Sequence, residues 1–191
     1  IGRTAALDMT QDGDTGIQVD GFFDFCGDIG SGAGIRLELD GMVIDRYACT
    51  SEITLAYTGG KEPDEYIRTI GTFCHEYSHT LGLPDFYDTD YEGTGGWAAG
   101  LWTATSLMDG GNANNNGNTP PYYNAIERDI LGLTTPGLIR RNGRYTLRPI
   151  GISGECYRIS TEDDDEYFLL ECRDNEEWDK HIGGSGMLVY H

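Results

Sequence analysis

The sequence lacks the features of several large classes of protein. No apolar run is long enough to cross a membrane, and no basic-then-apolar leader opens the chain. Lysine and arginine total 13 against 32 acidic residues, and the net charge of -19 argues against binding to nucleic acid or anionic membranes. The five cysteines include no C-x-x-C pair, so a cysteine zinc site is not expected. Such a charge suits an extracytoplasmic protein that binds cations.

Length and glycine content limit the number of domains and indicate how much of the chain lies in loops. The 191 residues suit one sizeable domain, or a domain with part of a second, and the 28 glycines predict many loops and turns. The chain starts without methionine and stops inside an apolar, strand-like stretch. We therefore expect a piece of a longer protein, incomplete at both ends.

Histidine is also scarce, and two of the four histidines stand in the segment 75–85, which follows the pattern H-E-x-x-H-x-x-G-x-x-D. On a helix, positions i and i+4 lie on one face, so His75 and His79 can reach one metal ion. Glu76 stands beside the first ligand and can hold a metal-bound water without being a ligand. The pattern predicts a metal-binding helix with a catalytic glutamate.

The residues after the histidines predict a third ligand. Gly82 can take the left-handed conformation that ends a helix, and Pro84 prevents its continuation. The chain can thus turn and bring Asp85 back to the histidines as an oxygen ligand. Two imidazoles and one carboxylate, with a fourth position open to water, are typical of a catalytic zinc site. An ordinary helix with two surface histidines would leave the glycine, the proline and the acid unexplained.

The metal-binding helix is predicted to start at 62–65, where a proline and acids suit a first turn. Apolar residues at spacings of 3, 4, 3 and 4 predict one stripe that packs in a core, formed by Ile67, Ile70, Cys74, Tyr77 and Leu81. A hairpin is predicted before it, with Asp40-Gly41 as its turn. The hairpin edge could pair with an extended peptide or be purely structural.

Later segments carry weaker signals. Carboxylates at 8–20 could bind calcium or form an acidic surface turn, and those at 86–92 could bind calcium or simply be solvated. Met108 lies in a predicted tight turn, and its side chain could pack beneath the metal ligands. A second helix is predicted at 122–133.

The C-terminal part is predicted to be β-rich. Its strands are expected at 145–147, 156–160, 166–173 and 187–190. The ten acids of 161–179 are typical of a solvated face. Cys156 and Cys172 flank a possible hairpin and could pair or stay as separate thiols.

Several of these segments together resemble the M6 metallopeptidases, the immune inhibitor A family of secreted bacterial proteases. The resemblance covers about 40–191 and rests on 71–88, 106–110, 119–132, 167–171 and 186–191. It implies a metzincin-like catalytic fold, a secreted zymogen with a propeptide, and endopeptidase activity. Family members often bind calcium as well.

The resemblance also implies roles for individual residues. His75, His79 and Asp85 fall on the family's zinc ligands, Glu76 on its catalytic glutamate and Met108 on its Met-turn. Aspartate replaces the third histidine common among metzincins. The alternative third ligand is Glu127 on the later helix, as in zinc proteases with a distant glutamate ligand.

These observations predict an α+β zinc endopeptidase. We expect a zinc-protease catalytic domain at 1–135, followed at 136–191 by a β-rich segment that packs on it or begins a second domain. Zinc is the expected cofactor and calcium a further one. Proteins or peptides are the expected substrates, and the expected location is outside a bacterial cell or on its surface. Two alternatives are a non-catalytic adhesive or carbohydrate-binding module, and a calcium-stabilised domain whose histidine pair is incidental.

Overall fold

The computed structural model describes residues 25–28, 37–44, 46–49, 52–56, 64–90, 92–93, 99–163 and 165–191. Within these ranges the chain is α+β, as its sequence predicted. The strands are β1 Phe25–Asp28, β2 Leu37–Leu39, β3 Met42–Ile44, β4 Arg46–Cys49, β5 Ile53–Ala56, β6 Asp64–Ile67, β7 Gly137–Leu138, β8 Tyr157–Ser160, β9 Tyr167–Arg173 and β10 Gly186–Tyr190. The helices are α1 Ile70–Leu81, α2 Ala125–Ile130 and α3 Ile150–Ser153, with short 3-10 helices at Thr103–Thr105, Gly110–Ala113 and Glu177–His181.

The strands before α1 form antiparallel pairs. β1 pairs with β4, β2 with β3, and β5 with β6. The predicted hairpin is confirmed, because β2 and β3 are joined by Asp40 and Gly41, whose φ angles are 52° and 78°. Positive φ at both positions suits a two-residue hairpin turn. Use of this hairpin for peptide binding stays a prediction.

Helix α1 starts later than its sequence pattern predicted. The predicted start at 62–65 is wrong, because β6 is paired with β5 and the helix begins at Ile70 after the N-cap Thr69. The first turn approaches another part of the chain closely. Gly71 donates its amide to the carbonyl of Gly117 at 2.8 Å, and a side chain at Gly71 would collide with the backbone of the Gly110–Ala113 3-10 helix.

The prediction that the apolar stripe of α1 packs in a core holds for Cys74, which packs against Leu83, Leu107 and Met108, and is wrong for the other four residues. Ile67 lies in β6, and Ile70, Tyr77 and Leu81 are each about half exposed. The buried residues of the helix are instead Gly71, His75 and Ser78. The helix therefore turns its histidine-bearing face, rather than its most apolar face, towards the interior.

The C-terminal part forms a four-stranded sheet in the order β10-β9-β8-β7. Neighbouring strands are antiparallel except for β8 and β7, which are parallel. The strand predicted at 145–147 is wrong, because β7 occupies the position beside β8 and 145–147 is a loop. Of the two alternatives for Cys156 and Cys172, the structure has separate thiols.

Helix α2 is shorter than the predicted 122–133. Asn124 caps it by accepting from the amide of Glu127 at 2.9 Å, while the Glu127 carboxylate accepts from the amide of Asn124 at 2.7 Å. This reciprocal capping box fixes the start of the helix. Ala125 then packs with buried residues of the C-terminal sheet and α3, namely Ile150, Cys156, Leu169 and Tyr190.

The acidic segment 161–179 is only in part a solvated face, and the prediction is wrong for two of its acids. Glu171 and Asp179 are almost completely buried, as is Arg173 between them. Arg173 Nε donates to Glu171 Oε1 at 2.7 Å, and Arg173 Nη1 donates to Asp179 Oδ1 at 2.6 Å. Pairing and hydrogen bonding of this kind offset the free-energy cost of burying charged groups.

Arg173→Met should destabilise the fold strongly, because it leaves two carboxylates buried without their partner. Breaking a buried ion pair costs about 3–5 kcal/mol of unfolding free energy. The change would be measured by urea denaturation. Arg148→Met is the control, because the Arg148–Glu155 pair lies at the surface and its loss should change stability little. Equal losses in the two variants would contradict the account.

The sequence predicts two acidic segments that could bind calcium. The proposed calcium loop at 8–20 lies outside the described residues. Asp88 and Asp90 accept hydrogen bonds from the amides two residues later, which is typical of local turns.

None of the helices within the described ranges is long and apolar enough to span a membrane.

Candidate metal centre

The end of α1 positions the third acid of the motif. Gly82 takes φ of 111° and donates its amide to the carbonyl of His79 at 3.0 Å. The amide of Leu83 donates to the carbonyl of Ser78 at 3.2 Å, so the chain folds back on the last turn. Two residues later, the Asp85 carboxylate reaches the histidines.

Three side chains converge at this point. The Nε2 atoms of His75 and His79 lie 3.1 Å and 3.3 Å from Asp85 Oδ1. Within the described ranges, these residues are the only group of three whose ligand atoms lie close enough to hold one metal ion, all within 4.8 Å of one another. The structure thus brings together the three residues that the sequence predicted as ligands.

Backbone carbonyls fix the orientation of both rings. His75 Nδ1 lies 2.9 Å from the carbonyl oxygen of Leu107, and His79 Nδ1 lies 2.8 Å from that of Leu83. A carbonyl oxygen can only accept, so each Nδ1 carries a proton. In a neutral ring the Nε2 atom then presents a lone pair, which is the form that binds metals.

The arrangement fits a cation. Asp85 Oδ1 is buried, and none of the described residues gives it a hydrogen-bond donor of suitable geometry. A buried carboxylate oxygen facing two Nε2 lone pairs is repulsive unless positive charge lies among them. Two imidazole nitrogens and a carboxylate oxygen are ligands that zinc prefers.

The pKa shifts have the same cause. Burial acts to raise the pKa of Asp85, but the two imidazoles outweigh it and hold that pKa well below its usual value. Burial acts to lower the pKa of His75, which Asp85 and the Leu107 carbonyl more than reverse. The pKa of His79 is raised chiefly by Asp85. The ionised Asp85 therefore favours positive charge at both Nε2 atoms.

Glu76 follows the first histidine on α1 and is partly exposed. Its negative charge adds, as the smallest of several causes, to the raised pKa of His79, so it lies within electrostatic range of the centre. A carboxylate at this position is partly open to solvent beside the ligands. Its role as a general base stays a prediction.

Comparison with known proteins shows the family. Residues 41–135 match the family model described as Immune inhibitor A peptidase M6, catalytic domain. The chain is also similar to Immune inhibitor A of Bacillus thuringiensis subsp. alesti, at 34% identity over 174 residues, covering 63% of this chain and 23% of that protein. The chain belongs to the M6 peptidase family. It spans less than a quarter of the length of this curated relative.

The M6 match includes both candidates for the third ligand, and their surroundings differ. Asp85 lies against the two histidines, whereas Glu127 is completely buried. Both carboxylate oxygens of Glu127 accept hydrogen bonds inside the protein, from Ser106, Met108 and Asn124. Glu127 is not part of the group that could hold a metal. The geometry therefore favours Asp85 over Glu127.

The Met-turn residue expected from the M6 resemblance lies in the core beside the centre. Met108 is fully buried and packs with Leu83 and Leu107. The Met108 carbonyl accepts from the amide of Phe86 at 2.9 Å, which ties this turn to the residue after Asp85. The turn therefore supports both the His75 ring and the segment that carries Asp85.

Several groups in and beside the candidate centre carry no sequence signal. The carbonyls of Leu83 and Leu107 act through the backbone, which every residue type possesses. The Tyr87 ring lies 6.3 Å, centroid to centroid, from the His75 ring at an interplanar angle of 25°. The hydroxyl of Ser78, one turn along α1 from Cys74, lies 2.6 Å from that of Tyr123. Only folding brings these groups together.

Tyr123→Phe should loosen the packing of α1. Ser78 donates its single hydroxyl proton to the Cys74 carbonyl, so Tyr123 must donate to Ser78. Loss of this hydrogen bond should cost about 1 kcal/mol of unfolding free energy, measured by urea denaturation. Tyr145→Phe is the matched control, because it removes a surface hydroxyl that donates to the Arg141 carbonyl. A Tyr123 variant as stable as this control would refute the assignment.

Proposed function

We propose that this chain contains the zinc centre of an endopeptidase that hydrolyses peptide bonds in proteins. The observation that carries the proposal is the convergence of His75 Nε2, His79 Nε2 and Asp85 Oδ1, with both Nδ1 atoms held by carbonyls. Membership of the M6 peptidase family supports the reaction class. The fold that best accommodates these features is metzincin-like.

The residues have distinct roles in this proposal. His75, His79 and Asp85 would hold zinc, which when bound lowers the pKa of a water ligand and polarises the scissile carbonyl. Glu76 would accept the proton of the attacking water and pass it to the leaving amine. The carbonyls of Leu83 and Leu107 would keep each histidine in the tautomer that this requires.

The domain arrangement and location are part of the same proposal. Residues 1–135 would form the catalytic domain, and the end of the family match at residue 135 supports this division. Residues 136–191 would pack on it, supported by the shared core of Ala125, Ile150 and Leu169. Secretion from a bacterium, a propeptide and an additional calcium site remain predictions from the M6 resemblance.

Casein cleavage tests the proposal. The purified chain, loaded with one equivalent of zinc, is incubated with denatured casein, with and without a chelator. We expect cleavage that the chelator abolishes and that added zinc restores. Stoichiometric zinc without any cleavage would instead favour a non-catalytic binding module. Absence of zinc binding would favour a domain whose histidine pair is incidental.

A further inference from the structure

Glu127 is an acidic side chain in the interior, where burial raises its pKa against the opposing effect of three hydrogen bonds to its carboxylate, and both carboxylate oxygens accept. Its Oε1 accepts from the Ser106 hydroxyl at 2.7 Å and from the Met108 amide at 3.0 Å. Its Oε2 accepts from the Asn124 amide at 2.7 Å. The side chains of all four residues are fully buried. The capping box of α2 accounts for the bond to Asn124 but not for the other two.

Those two bonds hold the residues on either side of Leu107. The Leu107 carbonyl is the group that accepts from His75 Nδ1 at 2.9 Å. One carboxylate oxygen therefore fixes the turn at Ser106 and Met108, and the peptide between them fixes the ring of His75. Outer-shell partners of this kind set the tautomer and direction of a ligating imidazole.

We propose that Glu127 is a positioning residue for His75, acting through the Ser106–Leu107–Met108 turn rather than as a metal ligand. This proposal deepens the proposed zinc centre and rests on it for the identity of the ion. A carboxylate is required because three donors converge on it and it carries no proton that could oppose them. An amide in its place must direct an N–H towards at least one of these donors.

Glu127→Gln should therefore weaken zinc binding while the ligands themselves stay intact. Loss of an outer-shell partner typically costs about 10- to 100-fold in metal affinity, and we expect a loss in that range. Ser106→Ala removes one of the two bonds to Oε1 and should cost only a few-fold. Zinc affinity would be measured by competition with a chromophoric chelator at fixed pH.

A second measurement needs no metal and no activity. In the metal-free protein, the side-chain nitrogen shifts of His75 report which ring nitrogen carries the proton. We expect the Nδ1–H form to dominate in the parent protein at a pH where the ring is neutral. In Glu127→Gln the population of this form should fall, whereas that of His79, held by Leu83, should not change.

Leu169→Ala is the control for a general loss of stability, because Leu169 is fully buried in the other core cluster, away from the turn. The proposal stands if Glu127→Gln loses zinc affinity and the His75 tautomer while Leu169→Ala keeps both. It is overturned if Glu127→Gln matches the parent, or if Leu169→Ala loses as much. Should Glu127→Gln fail to fold, Ser106→Ala decides by the same two measurements.

Failure of the proposed function would look different. A parent protein that binds zinc but does not cleave casein refutes the endopeptidase and leaves the role of Glu127 to be judged by affinity. A parent protein that binds no zinc refutes the metal centre, and the His75 tautomer in the metal-free variants still decides whether Glu127 positions the ring.

Discussion

Glu76→Gln is expected to lower kcat/KM for casein peptides by about 10²- to 10⁴-fold, the contribution typical of general acid–base catalysis. Glutamine keeps the size of the side chain but cannot accept the proton of the attacking water. The variant should bind zinc as tightly as the parent, because Glu76 is not among the converging ligand atoms. Peptide hydrolysis and zinc content are measured on the same preparation.

Glu162→Gln provides the matched control. It makes the same chemical change at an exposed acid in the loop between β8 and β9, far along the chain from α1. Its activity, zinc content and urea midpoint should equal those of the parent. A Glu76 variant that hydrolyses peptides at the parent rate would remove the proposed base from the mechanism.

Asp85→Ala should have the largest effect on zinc binding. It removes a ligand rather than an outer-shell partner, so affinity should fall by more than the roughly 10- to 100-fold typical of the latter. The free energy of unfolding of the metal-free protein should rise or stay unchanged. At a pH where both imidazoles are neutral, Asp85 Oδ1 in the parent is a buried oxygen with no donor in the part of the chain that the structure describes, and the substitution removes it.

Asp90→Asn is the control for loss of a nearby carboxylate charge. Asp90 is exposed and, among the described residues, accepts a local turn bond from the Glu92 amide, which asparagine can also accept. Zinc affinity should be unchanged in this variant. If instead Asp85→Ala keeps zinc while its metal-free form unfolds more easily, Asp85 is a structural acid and the third ligand lies elsewhere.

The sequence predicted the convergence of His75, His79 and Asp85 because the geometry of this group is local. His75 and His79 are one helical turn apart, and Asp85 returns to them through a turn whose conformation Gly82 permits. No contact in this group spans more than ten residues. The same locality explains the success of the Asp40–Gly41 hairpin, where the turn alone sets the register.

The predictions that were wrong depend on contacts between residues far apart in the sequence. Periodicity showed that α1 has an apolar stripe, but the partner of each face depends on segments that are distant in the sequence, among them β4 and the turn at Leu107. The helix buries His75 and Ser78 against the turn that contains Leu107 and against Tyr123. Composition likewise could not separate Glu171 and Asp179 from the solvated acids around them, because their partner Arg173 becomes buried only in the folded sheet.

The role of Glu127 illustrates the same limit. Its residue type and helical position made it a reasonable candidate for the third ligand. Its carboxylate oxygens instead accept hydrogen bonds from the Ser106 hydroxyl and from the Met108 and Asn124 amides. A sequence pattern does not reveal these donors. A buried acid near a metal site can thus be a ligand or a support, and only the donors around it distinguish the two.

The central claim is that His75, His79 and Asp85 hold one zinc ion, and anomalous scattering tests it most directly. Crystals of the zinc-loaded chain would be measured on both sides of the zinc absorption edge. The account predicts one strong anomalous peak about 2.0–2.2 Å from each Nε2 atom and from an Asp85 oxygen. A fully ordered centre without a peak, or a peak beside Glu127 with Asp85 turned away, would contradict it.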